Sequence, residues 1–80
     1  MTIGIAVKER IIELCEKNNI TLNKLSSASG MTQSTLNNII SGRNNSTTVS
    51  TIQKICYGLD ITIKEFFNSE IFDRIESEVK

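Results

Sequence analysis

A chain of 80 residues is long enough for one domain, and its hydrophobic fraction of 39% supports a small compact core rather than a disordered tail. The sequence has no His, the commonest general base and metal ligand, so we expect no enzyme, no metal and no cofactor. It has no apolar run of the roughly 18 residues that a membrane span needs and no signal peptide, so we expect a cytoplasmic chain without membrane contact.

The charges are unevenly distributed, although the formal net charge is zero. Residues 17–59 carry four basic side chains and no Asp or Glu, whereas residues 60–80 carry three basic and six acidic side chains. An acid-free stretch next to an acidic end is the asymmetry that a surface for a polyanion would produce.

The first predicted element is a helix over residues 5–18, because apolar side chains recur there at helical spacing. These side chains are Val7, Ile11, Leu14 and Cys15. Asn19 follows the helix, and Asn tolerates the left-handed conformation that ends helices. Cys15 and Cys56 both lie on predicted apolar stripes, so we expect two reduced core thiols, and neither a disulfide nor a zinc site.

Two short helices follow, joined by a tight turn. Thr21 and Thr32 are suitable N-caps for helices over residues 22–29 and 33–41, and Gly30 ends the first of them. Their predicted apolar sides comprise Leu22, Leu25 and Ala28 in the first helix and Leu36, Ile39 and Ile40 in the second.

The second half of the chain predicts two further helices and a C-terminal stretch. Thr48 caps a helix over residues 49–59, and Thr62 caps the next one, with Glu65 at the position that completes a capping box. The fourth helix has Val49, Ile52, Ile55, Cys56 and Leu59 on one stripe. Residues 68–80 either continue the fifth helix or form a short amphipathic helix, and no segment has strand periodicity. The expected fold class is all-α.

The segment over residues 21–42 resembles the helix-turn-helix of Cro/CI-type (XRE-family) bacterial and phage repressors. A capping Thr, the turn residue Gly30, Gln33, the apolar positions and the closing Gly42 all fall in register with that pattern. The similarity continues over residues 49–67, which look like the fourth and fifth helices of the family, so it covers most of the chain.

This resemblance implies a compact five-helix, lambda-repressor-like DNA-binding domain over residues 1–67. A short amphipathic C-terminal helical extension would follow over residues 68–80. The helix over residues 33–41 would be the recognition helix, which enters the major groove of double-stranded DNA. The protein would be a bacterial or phage-encoded transcriptional regulator.

Three positions depart from the family pattern. Leu22 stands where members usually have Gln or Glu, so we expect a phosphate contact often made there to be missing. Cys15 and Ile40 stand where many members have an Arg and a Glu in a buried ion pair. Exchanging both partners for apolar groups is often neutral or stabilising, whereas losing one costs about 3 to 5 kcal/mol. The paired exchange therefore supports the alignment.

The predicted recognition helix carries short and amide side chains. Gln33 and Asn38 each offer a donor and an acceptor, the combination that pairs bidentately with adenine, and Ser34 can act as either. The resemblance places base contacts at these three residues, with Asn37 and Ser41 at the edge of the same surface. The alternative is an exposed, weakly helical surface without a ligand, which would favour Glu, Lys and Ala instead.

Phosphate contacts are needed for affinity and register. By the resemblance, we expect them from Arg43, Asn44 and Asn45, in the loop after the recognition helix. Thr21 and Thr35 are further candidates for backbone contacts, and N–H groups at helix N-termini can assist them.

The expected function is a sequence-specific, DNA-binding transcriptional repressor that binds a palindromic operator as a homodimer, with no small-molecule ligand. The candidates for dimer contacts are Ile71, Phe72, Ile75 and Val79, and packing of this stretch on the chain's own core is an equal alternative. A second hypothesis is an antitoxin-like or regulatory protein-interaction module on the same fold, with little DNA binding. The zero net charge and Leu22 favour it, and the recognition face disfavours it.

Overall fold

The computed structural model describes residues 1–41 and 47–76 of the chain. These ranges form five α-helices and one 3-10 helix and contain no strand, so the predicted all-α fold is confirmed. The helices are α1 (Ile3–Lys17), α2 (Leu22–Ala28), α3 (Gln33–Ile40), α4 (Val49–Leu59) and α5 (Ile63–Phe67), and the 3-10 helix is Glu70–Arg74.

Each of the five α-helices begins directly after a Thr. The Thr hydroxyl accepts a hydrogen bond from the backbone N–H three residues later, at 3.0 to 3.3 Å, and so satisfies a donor that the helix leaves unpaired. Four of these caps are the predicted ones, and the predicted capping box of Thr62 and Glu65 is present. The fifth, Thr2, was not predicted, and α1 therefore begins two residues earlier than the periodicity indicated.

Three helices end in the same way, with a residue in the left-handed conformation. Asn19, Gly30 and Asp60 have φ of 54°, 69° and 57°. The N–H of the following apolar residue donates to the carbonyl five residues back, which is the Schellman arrangement. These bonds join Ile20 to Cys15 (3.0 Å), Met31 to Ser26 (3.1 Å) and Ile61 to Cys56 (3.0 Å). Each ending turns an apolar side chain onto the core.

The core draws on one side of every α-helix. Its largest fully buried side chains come one from each helix: Ile11, Leu25, Leu36, Ile55 and Phe66. Burying a side chain of this size contributes about 1.5 to 3 kcal/mol. The prediction for Val49 was wrong, because this first residue of α4 is 70% exposed at the edge of the packed stripe. Tyr57, on the same helix, is 81% exposed.

Both cysteines are buried in this core as free thiols. Burial raises the pKa of the Cys15 and Cys56 thiols above the ordinary value, because the thiolate would lose its solvation. Ile40 is half-buried and packs against the same core. Apolar packing thus occupies both positions at which the family resemblance had pointed to an ion pair.

Arg10 is a buried charged residue whose role was missed at the sequence level. Its Nε donates to the Phe66 carbonyl at 2.7 Å and its Nη2 to the Glu65 carbonyl at 2.8 Å, so it caps the end of α5. Its Nη1 pairs with the Glu13 carboxylate at 2.5 Å. Arg10 lies three residues after Val7, on the apolar stripe of α1. A basic residue at an apolar position is the sequence feature that could have indicated its buried role.

The chain after α5 does not continue that helix. Asn68 has a non-helical conformation, and the next turn is the 3-10 helix, so the continuation predicted as one alternative is wrong. The Phe72 ring lies 4.9 Å from that of Phe67 and 6.1 Å from that of Phe66, centroid to centroid. Phe72 therefore packs on the chain's own core. The 3-10 helix also contacts α1. The division of the chain at residue 67 into a domain and a C-terminal extension therefore stays a prediction.

Replacing Arg10 should destabilise the domain much more than removing its carboxylate partner. Arg10→Met leaves two carbonyls of α5 without their charged donor, and we expect a loss of about 2 to 4 kcal/mol. Glu13→Gln removes an ion pair at a side chain that is 49% exposed, which should cost about 1 kcal/mol or less. Urea unfolding followed by circular dichroism measures both values, and equal losses would contradict the capping role of Arg10.

Candidate nucleic-acid interface

The α2–α3 pair is positioned through a close approach of α2 to α4. Gly58 of α4 lies against the end of α2, where an added Cβ would overlap the Ser29 hydroxyl and lie 3.1 Å from the Ser29 backbone nitrogen. Ser29 is itself buried, and among the described residues its hydroxyl has no hydrogen-bond partner. A Cβ at position 58 would require the Ser29 hydroxyl to move and the end of α2 to shift by a few tenths of an ångström.

The turn between α2 and α3 fixes the direction of the second helix. Gly30 supplies the left-handed residue, and Thr32 caps α3 directly after the half-buried Met31. Leu36 and Ile39 of α3 are 0% and 5% exposed, so this side of the helix faces the core. The opposite side of α3 is thereby directed outwards.

The outward side of α3 is polar and uncharged. Four of its residues line one open groove with a volume of about 390 Å³, and Ser41, just after the helix, lines it as well. These residues are Gln33, Ser34, Asn37, Asn38 and Ser41. Asn38 is half-buried and the others are exposed. The structure thus brings together the three residues at which the resemblance places base contacts and the two predicted at the edge of the same surface.

The residues predicted to contact the DNA backbone are only partly described. Thr21 and Thr35 are exposed, but neither lines the groove of α3. The Thr21 hydroxyl caps α2 by accepting from the Lys24 N–H at 3.1 Å, and the Thr35 hydroxyl lies 2.8 Å from that of Thr32. Both hydroxyls sit at helix starts. The other three predicted contacts, Arg43, Asn44 and Asn45, lie outside the described residues.

One part of the described chain carries cations without carboxylates. The exposed cations Lys17, Lys24 and Lys54 lie in the acid-free stretch. A second open groove, of about 520 Å³, lies between α1 and the 3-10 helix. Three carboxylates, Glu9, Glu13 and Glu70, and two arginines, Arg10 and Arg74, line it, and we call it the acidic groove. Because its carboxylates outnumber its arginines, the acidic groove is a less favourable surface for a polyanion than the uncharged side of α3.

A third, smaller groove of about 210 Å³ is apolar, and we call it the apolar groove. It is lined by Ile3, Gly4, Val7, Thr47, Val49, Ile52 and Phe67. Three of these side chains are exposed large hydrophobic ones: Ile3, Val49 and Phe67. It lies between the starts of α1 and α4 and the end of α5, and it shares no lining residue with the groove of α3.

Two other kinds of site are not found in the described ranges. Within residues 1–41 and 47–76, no group of three or more metal-ligating side chains comes together. In the same ranges, no helix combines the length and apolar character needed to cross a membrane.

The family can now be stated from the sequence itself. The pattern of the Cro/C1-type HTH DNA-binding domain matches residues 10–70, most of the chain. The chain belongs to this Cro/C1-type helix-turn-helix family. The fold agrees with a solved structure, the crystal structure of the prophage Lp1 protein 11, at a TM-score of 0.81 and 33% identity. That similarity covers 94% of this chain and 99% of the other. No curated protein matches the sequence.

The match confirms the predicted resemblance and makes this a DNA-binding domain of the Cro/C1 type. It includes the α2–α3 pair, the loop after it and the whole polar side of α3. Leu22, the departure at the start of α2, is half-buried and packs against the core. An apolar side chain there stabilises the Cro/C1-type fold and offers no polar group to a phosphate.

Replacing Gly30 tests whether the turn before α3 depends on backbone conformation alone. An added Cβ at Gly30 meets nothing within 4 Å, so the cost of Gly30→Ala is conformational, about 1 to 2 kcal/mol. Gly30→Asn should cost less, since Asn adopts the left-handed conformation readily, as Asn19 does here. Thermal unfolding measures both variants. If Ala at this position proved as stable as Gly, the turn would not need its left-handed residue.

Proposed function

We propose that this Cro/C1-type domain is a sequence-specific transcriptional regulator that reads the major groove of double-stranded DNA with α3. The observation that carries the proposal is the groove of α3, an exposed surface of hydrogen-bonding side chains opposite a buried apolar side. Such a face has no function in packing, and it matches the donors and acceptors at base edges. The repressor role rests on the resemblance to Cro/CI-type repressors, and it involves no catalytic step.

Base contacts in this proposal come from Gln33, Ser34, Asn37 and Asn38. Within the described residues, none of the three amide side chains forms a hydrogen bond, whereas the Asn18 amide donates to the Leu14 carbonyl at 2.7 Å. A ligand could therefore bind the amides of α3 without breaking a hydrogen bond within the described residues.

Contacts to the DNA backbone would come from two groups of residues. Thr21 and Thr35 have exposed hydroxyls at the starts of α2 and α3 that can donate to phosphate oxygens. Arg43, Asn44 and Asn45 follow α3 in the sequence and supply the one cation between Lys24 and Lys54. With so few cations, one domain should bind weakly and with a shallow dependence on salt concentration.

A second copy of the chain would supply the missing affinity. A homodimer on a palindromic operator would place its two recognition helices about 34 Å apart, one turn of DNA. Phe72 packs internally, and Val79 lies outside the described residues. The surface for pairing would therefore be either Ile71 and Ile75, both half-buried, or the apolar groove with Val49 and Phe67. The apolar groove has the more exposed side chains and is our preferred surface.

The second candidate function, a protein-interaction module with little DNA binding, is favoured by the zero net charge and by the apolar residue at position 22. It leaves the free amides of α3 unexplained. The two functions differ in whether the α3 amides determine binding to one DNA sequence.

Selection from random DNA duplexes tests the proposal. We expect one enriched motif of two inverted half-sites, about one helical turn apart. Gln33→Ala with Asn38→Ala should weaken binding to that motif about 30-fold or more, because each bidentate contact contributes about 1 to 3 kcal/mol. Fluorescence anisotropy at several salt concentrations measures the loss.

The matched control is Asn68→Ala, which removes an exposed amide that lines the acidic groove. It should leave affinity for the motif unchanged. No enriched sequence, together with equally weak binding by all three proteins, would instead support the protein-interaction module.

A further inference from the structure

Two residues that each weaken the fold locally meet where α2 packs against α4. Gly58 lies inside α4, where Gly is less favourable than Ala. Ser29, at the end of α2, is buried, and its hydroxyl has no hydrogen-bond partner among the described residues. Departures from locally favourable residues are expected where a function requires them. The contact of Ser29 with Gly58 therefore calls for an explanation other than stability.

The direction of the Ser29 hydroxyl is a second, independent observation. Ser26 within α2 and Ser41 at the end of α3 turn their hydroxyls back onto their own helices. Each donates to the carbonyl three residues earlier, at 2.8 and 3.2 Å. The Ser29 hydroxyl makes no such bond and instead occupies the place that a Cβ of residue 58 would take. It thus fills the space that Gly58 leaves between the two helices.

This contact is directly followed by the turn that leads into α3. Gly30, the left-handed residue, comes next in the chain, and the Met31 N–H donates to the Ser26 carbonyl at 3.1 Å. Thr32 then caps α3. Only these three residues separate Ser29 from the first residue of α3. A change in the spacing of α2 and α4 at Ser29 is therefore passed on to the start of α3.

We propose that Ser29 and Gly58 are positioning residues for DNA recognition. The Ser29 hydroxyl acts as a spacer, for which only Gly at position 58 leaves room, and it sets the distance between α2 and α4. That distance determines where the polar side of α3 lies relative to the rest of the domain. The inference rests on the proposed function and gives a part in it to two residues outside the α3 surface.

The spacing matters more for base contacts than for the attraction to phosphates. Hydrogen bonds form over a narrow range of about 2.7 to 3.2 Å between heavy atoms. A shift of a few tenths of an ångström, the size that a Cβ at position 58 would require, uses up much of that range. Attraction between charges falls off slowly with distance, so contacts to phosphates tolerate the same shift. A wrong spacing should thus weaken binding to one sequence and spare binding to random DNA.

The first test changes the spacing in two opposite ways. Ser29→Ala removes the spacer, and Gly58→Ala adds a second group to the space that it fills. Each variant should bind the duplex obtained by selection about 5- to 10-fold more weakly, the lower part of the range for loss of one bidentate base contact. Binding to a duplex of random sequence should stay within about twofold. Fluorescence anisotropy measures both, at a temperature at which circular dichroism shows every variant to be folded.

The double variant tests whether the two positions act through the same space. Ser29→Ala with Gly58→Ala moves one heavy atom from α2 to α4, since the new Cβ fills the place of the removed hydroxyl. Its closest remaining contacts would be the Ser29 nitrogen at 3.1 Å and the Ala28 carbonyl carbon at 3.2 Å. We expect affinity for the selected duplex to return to within about twofold of the unmodified protein, which independent losses could not produce.

Thermal unfolding separates positioning from stability. Ser29→Ala buries no unpaired hydroxyl and should unfold about 4 °C higher than the unmodified protein, although it binds the selected duplex less well. Ser26→Ala is the matched control, because it makes the same exchange at another buried Ser of α2. It removes a hydroxyl that bonds within α2, so it should leave affinity for the selected duplex unchanged.

The outcomes distinguish this inference from the function on which it rests. If both single variants bind the selected duplex as the unmodified protein does, the positioning role is overturned and sequence-specific binding stands. Equal weakening on selected and random duplexes overturns the positioning role as well, as does a double variant that binds no better than the weaker single one. Failure of selection to enrich any duplex overturns the proposed function, and the inference with it.

Discussion

The interface depends on one steric constraint, the close contact of α2 with α4 at Gly58. A Cβ at this position would overlap the Ser29 hydroxyl and lie 3.2 Å from the Ala28 carbonyl carbon. Gly costs about 1 kcal/mol relative to Ala inside a helix, and Ser29 buries a hydroxyl without a partner in the described chain. Two locally unfavourable residues thus meet where α2 is anchored, and α2 in turn carries the turn at Gly30 and the start of α3.

Once α2 is fixed, the outward face of α3 follows from its buried one. Leu36 and Ile39 occupy the core, and the helical period then places Gln33, Ser34 and Asn37 together on the solvent side. In the proposed function, selectivity would come from amide pairing rather than from charge, so affinity would have to come from the loop cation, from helix N-termini and from a second copy.

The sequence predicted what is determined locally. Thr caps, the left-handed residues Asn19 and Gly30 and the 3.6-residue period depend on neighbours a few positions away, so these elements and the uncharged face of α3 could be placed in advance. What depends on distant residues was missed. Arg10 binds carbonyls 55 and 56 residues away, and the tight contact at Gly58 appears only when α2 and α4 are packed.

If the amide face of α3 is the surface that binds DNA, its side-chain amides must respond to the duplex directly. Nuclear magnetic resonance measures that response, because an 80-residue chain gives resolved side-chain amide signals. On titration with the selected duplex, the NH₂ signals of Gln33, Asn37 and Asn38 should shift most, while that of Asn68 in the acidic groove should stay in place. The largest shifts at Asn68 and along α1, with the α3 amides unmoved, would contradict DNA binding by α3.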